Sequence, residues 1–368
     1  MGPKLSTHHG QADHRSLGDE DTVDSTSFPA ALMGFGAQDA PGLPQLATDA
    51  AAVNGSPAAA LALAERLAPE APLPGQGETS RLFSILAVVA AADLTAARTL
   101  EPHLDALAIL EQSESPAEPG SWGVFAAEGQ GMVLNAELTP EGWELSGRKP
   151  WCSLAGSLDY AVVTAHTGAG RRRAFAVDLR QPGVQPVPGT WVSRGLAAVD
   201  SGPVDFNRAR ARPVGADNWY LERPGFAWGG IGVAACWYGG AVGVARRMFA
   251  AAQDREPDQI AQMLLGKADL RLQAARSVLA SAADRIDSGR ADGRDGAILA
   301  QQVRGIVADA GEEVLILADH GLGPGPLALE EEHARRTADL RIYLRQHHAE
   351  RDYAALGRAL LQDGGAPW

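Results

Sequence analysis

Two short stretches carry side chains able to do chemistry. The first, QHHAERD at 346–352, crowds two histidines, two acids and an arginine into two helical turns. At helical spacing His347 and Arg351 share one face, and His348 and Asp352 share another. An imidazole steered by a carboxylate exchanges protons near neutral pH. His347 or His348, with Asp352 orienting His348, is therefore a candidate acid–base group; a salt-bridged helix facing solvent uses the same residues. The second stretch is Trp151-Cys152-Ser153, where two β-like runs meet. An aromatic followed by two small polar side chains offers a flat ligand a wall to stack on and a hydroxyl to bond to. A buried core tryptophan beside a turn serine is the alternative.

The composition limits what these residues can serve. At 368 residues, 45 % of them hydrophobic, the chain is long enough for two or three packed units. Its net charge of −13 argues against binding nucleic acid through phosphates. Arg171-Arg172-Arg173 is a basic cluster in an expected hairpin turn, read as a solvated loop. Cys152 and Cys236 make neither a disulfide framework nor a metal cluster, which fits a reducing, cytoplasmic setting. His8, His9 and His14 have no neighbours to complete a metal site, so no metal is expected. The apolar run Leu82 to Ala92 is too short to span a bilayer, so no membrane association is expected, and no signal peptide is read at the N-terminus.

The elements that must position the two stretches follow from periodicity. Residues 1–27 read as a disordered polar tail and 28–119 as a helical region. Its helices are expected at Pro57 to Ala68, with Ser56 as cap, at Thr79 to Ala97, and around Ala106 to Gln112, with His103 in a bend after Pro102. From 120 to 212 the period changes to two, with turns at Gly129 to Gly131, Thr139 to Gly142 and Thr167 to Arg173. About eight short strands in a barrel or sandwich are expected. From 213 to 363 the pattern is again helical. Gly225 to Ala252, Asp258 to Asp287, Arg294 to His320 and Glu330 to Leu361 are expected to form an antiparallel four-helix bundle. The fold class is multi-domain α+β, and 364–368 is a loose tail.

That order of parts, with its motifs, resembles the acyl-CoA dehydrogenase superfamily of FAD flavoproteins over roughly Thr79 to Gly357. The family layout of a strand reaching a glutamate turn, then G-x-K-x-W-x-T/S, then A-D, is matched by Glu128, Gly147, Lys149, Trp151, Ser153 and Asp159. FAVDLRQPGV at 175–184, Gly195-Leu196, Ser201, Val204-Asp205-Phe206, Gly225-Phe226 and Gly240 to Gly243 follow in family order.

The resemblance implies an FAD cofactor, with Trp151 packing on the isoalloxazine ring and Ser153 bonding near its N5. Phe125, Ala127 and Glu128 would line the other side through backbone groups. Gly321 and Gly323, in a His-Gly-Leu-Gly turn, would approach the pyrophosphate and adenosine bound to a neighbouring subunit. It implies oxidation of the Cα–Cβ bond of a CoA- or carrier-linked acyl thioester, with hydride passing to flavin, in a homodimer or homotetramer. The chain departs from the family where the catalytic base sits: Gln346 occupies that position, and Ile231 to Gly243 contains no acid. REPDQI at 255–260 and Gln130-Gly131-Met132 also replace family elements. The acid–base role would pass to His347, His348 and Asp352. Two further readings stand beside this one: a flavin-dependent monooxygenase of the same fold using a histidine of the last helix, and a non-catalytic structural or partner-binding subunit.

Overall fold

The computed structural model describes residue 35 and residues 42–362, except 169 and 255. The expected tails, with His8, His9 and His14, lie outside the described residues. Helices come first: α1 (Leu43–Ala51), α2 (Pro57–Leu67), α3 (Thr79–Ala92) and α4 (Leu94–Gln112). Ser56 caps α2 as expected, its side chain accepting from the Ala59 N–H. The helix expected from Thr79 to Ala97 is two. Asp93 adopts an extended backbone and caps α4, one oxygen accepting from the Ala96 N–H and the other from the Gly55 N–H, both at 2.8 Å. The bend expected after Pro102 does not separate two helices: α4 runs through Pro102, leaving the Arg98 carbonyl without its usual donor. His103 is thus a helical residue, fully packed, and its Nδ1 accepts the Trp122 N–H at 3.1 Å.

Among the described residues seven strands follow, not eight: β1 (Trp122–Phe125), β2 (Leu134–Thr139), β3 (Gly142–Lys149), β4 (Tyr160–Gly168), β5 (Arg171–Asp178), β6 (Val184–Pro186) and β7 (Val204–Val214). The order β4-β2-β3-β7-β5 closes on itself because β5 also pairs with β4, which removes the free edges of an open sheet. β1 adds in parallel to β4, and β6 pairs with β7. The register of β3 against β7 shifts between Leu145 and Gly147. Gly147 has φ 127°, and a Cβ there would lie 2.2 Å from the Val133 carbonyl oxygen, so only glycine fits. The three arginines open β5 rather than forming a free turn. Arg172 pairs with Glu128, and Arg173 donates to the Gly215 carbonyl.

Helices resume with α5 (Trp219–Glu222), α6 (Pro224–Asp254), α7 (Gln259–Asp287) and α8 (Gly293–Leu322). The long helices α6, α7 and α8 pack on one another, and α3 packs along α6. The fourth helix expected from Glu330 to Leu361 is not continuous. Short α9 (Pro324–Leu329) precedes α10 (Glu331–Tyr343), a tight turn spans Leu344–Gln346, and α11 (Glu350–Leu361) packs on α8. Among the described residues no helix is long and apolar enough to cross a membrane. The protein is therefore a mixed helix and sheet fold, with helices on both sides of a central barrel in chain order.

Candidate functional site

The loop after β3 carries the first candidate residues. Trp151 has φ 59°, a left-handed backbone that is costly for a bulky side chain. Its indole is 57 % exposed and touches Trp191 edge-on, with ring centroids 6.5 Å apart. The core-tryptophan alternative therefore fails for Trp151. Cys152 is buried, and that burial pushes its thiol up to about 12, so it is inert. The loop is pinned by Cys152 N–H to the Gly202 carbonyl and Leu154 N–H to the Asp200 carbonyl.

Ser153 is buried at the end of a chain of donors. Arg98 donates to its Oγ at 2.9 Å, Ser153 and Ser201 share a 2.8 Å hydrogen bond, and Ser201 donates to the Val199 carbonyl. With the Ser201 proton spent on Val199, the Ser153 proton points to Ser201. The hydroxyl expected to serve a ligand is thus already committed, and Arg98 brings the cation to this point. Phe125, Leu154, Leu158 and Gly123 join Arg98 and Ser153 around a space of about 10 Å³, the size of a single water site.

Glu128 and Ala127 lie in the exposed loop after β1. The Glu128 carboxylate is held by Lys149 at 3.2 Å, Arg172 at 2.7 Å and His166 at 3.1 Å. Partial burial raises its pKa, and these partners, Lys149 first, more than reverse that. Lys149, itself buried, also donates to Thr164. The side chains of this family-like pair lock the barrel mouth.

The second stretch is corrected. His347 and His348 are not helical; they occupy the break between α10 and α11, with Ala349 at φ 47°. His347 with Arg351 and His348 with Asp352 therefore do not form the two helical faces expected. His347 is buried, its ring edge-on to Trp237 at 6.3 Å and Tyr353 at 5.1 Å. Its Nε2 has no hydrogen-bond partner among the described residues and lies 3.7 Å from Asp352. Burial lowers its pKa against the pull of Asp352, which favours the neutral imidazole. His348 is largely exposed. Asp352 accepts its backbone N–H at 3.0 Å and lies 3.4 Å from its Nδ1. Asp352 thus does meet His348, as the sequence suggested, but with His348 in the turn ahead of α11 rather than in a helix.

Gly321 is also corrected. Gly321 lies inside α8, against Leu264 and Met248, and Gly323 is the joint between the C-terminus of α8 and the N-terminus of α9. Of the expected interhelix turn, Gly323 is part and Gly321 is not.

Several residues around these were not singled out by the sequence. Arg98, Glu101 and Asp105 lie along one side of α4. Arg98 stands 3.8 Å from Glu101 and over the Tyr343 ring. Arg304 of α8 lies over Trp237 at 4.7 Å and donates to the Gly230 and Gln346 carbonyls, so it fastens the break before His347. Burial raises Glu101 to about 7, with Arg98 opposing. The signal in the sequence was a set of charges at i, i+3 and i+7 on an otherwise apolar helix. Together these groups make a polar seam from Ser153 through Arg98, Glu101 and Tyr343 to Trp237, Arg304 and His347. It can stack a flat ligand at Trp151, bind at Arg98, and exchange protons at Glu101 and His347.

The fold that carries this seam is acyl-CoA dehydrogenase-like. No protein-family model and no curated protein matches the chain. Among solved structures it is similar to the dibenzothiophene monooxygenase TdsC of Paenibacillus sp. A11-2, in complex with FMN and indole. That likeness has a TM-score of 0.76 at 16 % identity and covers 92 % of this chain and 98 % of that one. A nitrososynthase from Micromonospora carbonacea var. africana matches with TM-score 0.71, 19 % identity, and 94 % and 97 % coverage. A putative acyl-CoA dehydrogenase from Mycobacterium smegmatis matches with TM-score 0.70, 18 % identity, and 83 % and 90 % coverage.

Proposed function

We propose that the chain is a flavin-dependent monooxygenase acting on a small, largely apolar compound, rather than an acyl-thioester dehydrogenase. The observation that carries this reading is the buried imidazole of His347, its Nε2 without a hydrogen-bond partner among the described residues, at the break after α10. The sequence resemblance put the dehydrogenase base nearby, at Gln346, which cannot accept a proton as a carboxylate does. The likeness to TdsC, a monooxygenase crystallised with FMN, supports the same reading. A flavin fits the residues present: Trp151 holds an aromatic face out to solvent on a strained backbone, and such strain persists where it serves a ligand. Because Gly321 is closed into α8, the reading favours FMN over the FAD that the sequence suggested.

When bound, reduced flavin supplies the electrons that activate dioxygen. The chain's own residues would do the rest. Trp151 stacks on the ring. Arg98 donates at the ring edge beside Ser153. His347 holds or delivers a proton at Nε2, kept in place by Trp237, Tyr353 and the Arg304 bond to the Gln346 carbonyl. Homo-oligomer assembly belongs to the same proposal, supported by exposed Ile260, Met263 and Leu270 on one face of α7.

A second reading, thioester dehydrogenation, is favoured by one observation: Glu101 is a buried carboxyl poised near neutrality. Absorbance titration with FMN and with FAD, then anaerobic addition of acyl-CoAs, separates the readings. Bound FMN that no thioester bleaches, together with oxygen-dependent turnover of reduced flavin that His347→Gln lowers about 100-fold, is expected. Anaerobic bleaching by a thioester would overturn it in favour of dehydrogenation. No binding of either flavin would leave the non-catalytic subunit.

A further inference from the structure

Between α3, α4 and α6 lies a cavity of about 30 Å³, walled by Leu82, Phe83, Leu86 and Leu104 and lipped by half-buried Pro72, Pro74 and Trp228. Two carboxyl groups, Glu101 and Asp105, enter this otherwise apolar space. They are not equivalent. Asp105 is 3.5 Å from Arg223, a buried guanidinium that also donates to Gln112, so its charge is answered. Glu101 has one ion pair, to Arg98 at 3.8 Å, which exceeds hydrogen-bonding distance. The Tyr343 hydroxyl beside it is buried and has no hydrogen-bond partner among the described residues. The acid borders this apolar space without a hydrogen bond, and the phenol lies next to the acid rather than among the cavity walls. Such groups are paired in most folded proteins, and an exception calls for an explanation such as a ligand or a catalytic role.

Resting on the reading above, we infer that Glu101 is the proton-exchanging residue on the substrate side. The cavity receives the heteroatom end of a compound with a weakly acidic O–H or N–H on an apolar body. The substrate proton passes to a Glu101 oxygen while the electron pair of the broken O–H or N–H bond stays on the heteroatom. The Tyr343 hydroxyl stands beside Glu101 to receive or return its hydrogen bond, and the Arg98 and Arg304 charges offset the resulting anion. No oxidant enters this step, and return of the proton restores both groups.

The surroundings set the balance. Arg98 and Asp105 face Glu101 from α4, Cys236 from α6, Arg304 from α8, Tyr343 from α10 and Tyr220 from α5. Burial holds the acid protonated, and the two arginines pull it back, leaving it at about 7. An acid placed there gives and takes a proton under ordinary conditions.

The test uses the full-length chain without flavin and the coloured acid 4-nitrophenol, whose binding is read by visible absorbance from pH 6 to 9. Above neutrality both Glu101 and the free ligand are ionised, so forming the complex requires uptake of one proton. The affinity then falls about tenfold per pH unit. Glu101→Gln, which keeps the shape but holds no exchangeable proton at this site, is expected to lose that alkaline fall. Glu101→Asp is expected to retain it. Saturable binding is expected for all three. No saturable binding to the unaltered chain, or an alkaline fall undiminished in Glu101→Gln, would overturn the assignment. A separate titration with FMN keeps the two questions apart, because failure to bind flavin does not alter the nitrophenol profile.

Discussion

Glu101 and His103 sit two residues apart on α4, and burial drives them in opposite directions. Glu101 rises from 4.5 to about 7, while His103 falls from 6.5 to about 4. Both are pushed toward the neutral form for the same reason, since charge is costly away from water. Their effects on stability therefore oppose. The raised carboxyl contributes stability that is complete below 4.5 and is lost as pH rises to about 7. The lowered imidazole contributes stability that is complete above 6.5 and is lost as pH falls to about 4. Each amounts to about 3 kcal/mol, so the two nearly cancel between pH 4 and 7. Urea unfolding across that range would separate them. Glu101→Gln is expected to leave a chain that loses stability on acidification more steeply than the unaltered one. His103→Gln, which retains an acceptor for the Trp122 N–H, is expected to leave one that gains it. Parallel profiles in all three chains would refute the opposed burial of these two residues.

At the scale of elements, the seam is held by close approach and by one interruption. Helix α6 meets α3 at Gly239, where a Cβ would stand 2.1 Å from the Ala87 carbonyl oxygen. Gly239→Ala must force the helices apart and is expected to cost about 1–3 kcal/mol. Gly266, on the exposed face of α7, has nothing within 4 Å of a built Cβ. Gly266→Ala is expected to add about 0.5–1 kcal/mol by restricting the unfolded chain and favouring helix. Denaturation midpoints moving in opposite directions would verify the pair. Equal shifts would show that the α3–α6 approach is looser than described. The interruption after Tyr343 is fixed from a distance: Arg304 reaches across from α8 to the Gln346 carbonyl, and Leu344 is buried while His348 is not.

For the molecule as a whole, the proposed self-association rests on apolar side chains left in solvent. Ile260, Met263 and Leu270 lie at 61 %, 48 % and 70 % exposure along one face of α7, and Ile316 of α8 is 51 % exposed. Exposed large apolar residues in a row mark contact surfaces more often than free ones. Sedimentation velocity is expected to give a dimer or larger assembly, and the double variant Met263→Glu with Leu270→Glu a monomer that keeps its helical content. A monomer before substitution would remove the proposal.

The sequence by itself determined the order of helices, strands and helices, because apolar period and turn residues are local signals. It also singled out Trp151 and Ser153, whose motif spacing survives in one loop, and the residues of the 346–352 cluster by type. It did not determine that the last helix breaks there. Charges at i and i+4 fit a continuous helix equally well, and the break depends on Arg304, more than forty positions away in the chain. Gly321 reads as part of a turn through its resemblance to a family glycine motif, yet it lies in α8, packed against Leu264 and Met248, despite glycine's weak helix propensity. The joining of Arg98 to Ser153, and the burial that brings Glu101 to neutrality, arise between elements distant in sequence. Desolvation depends on which side chains enclose a group in three dimensions, so only the tertiary structure could decide it.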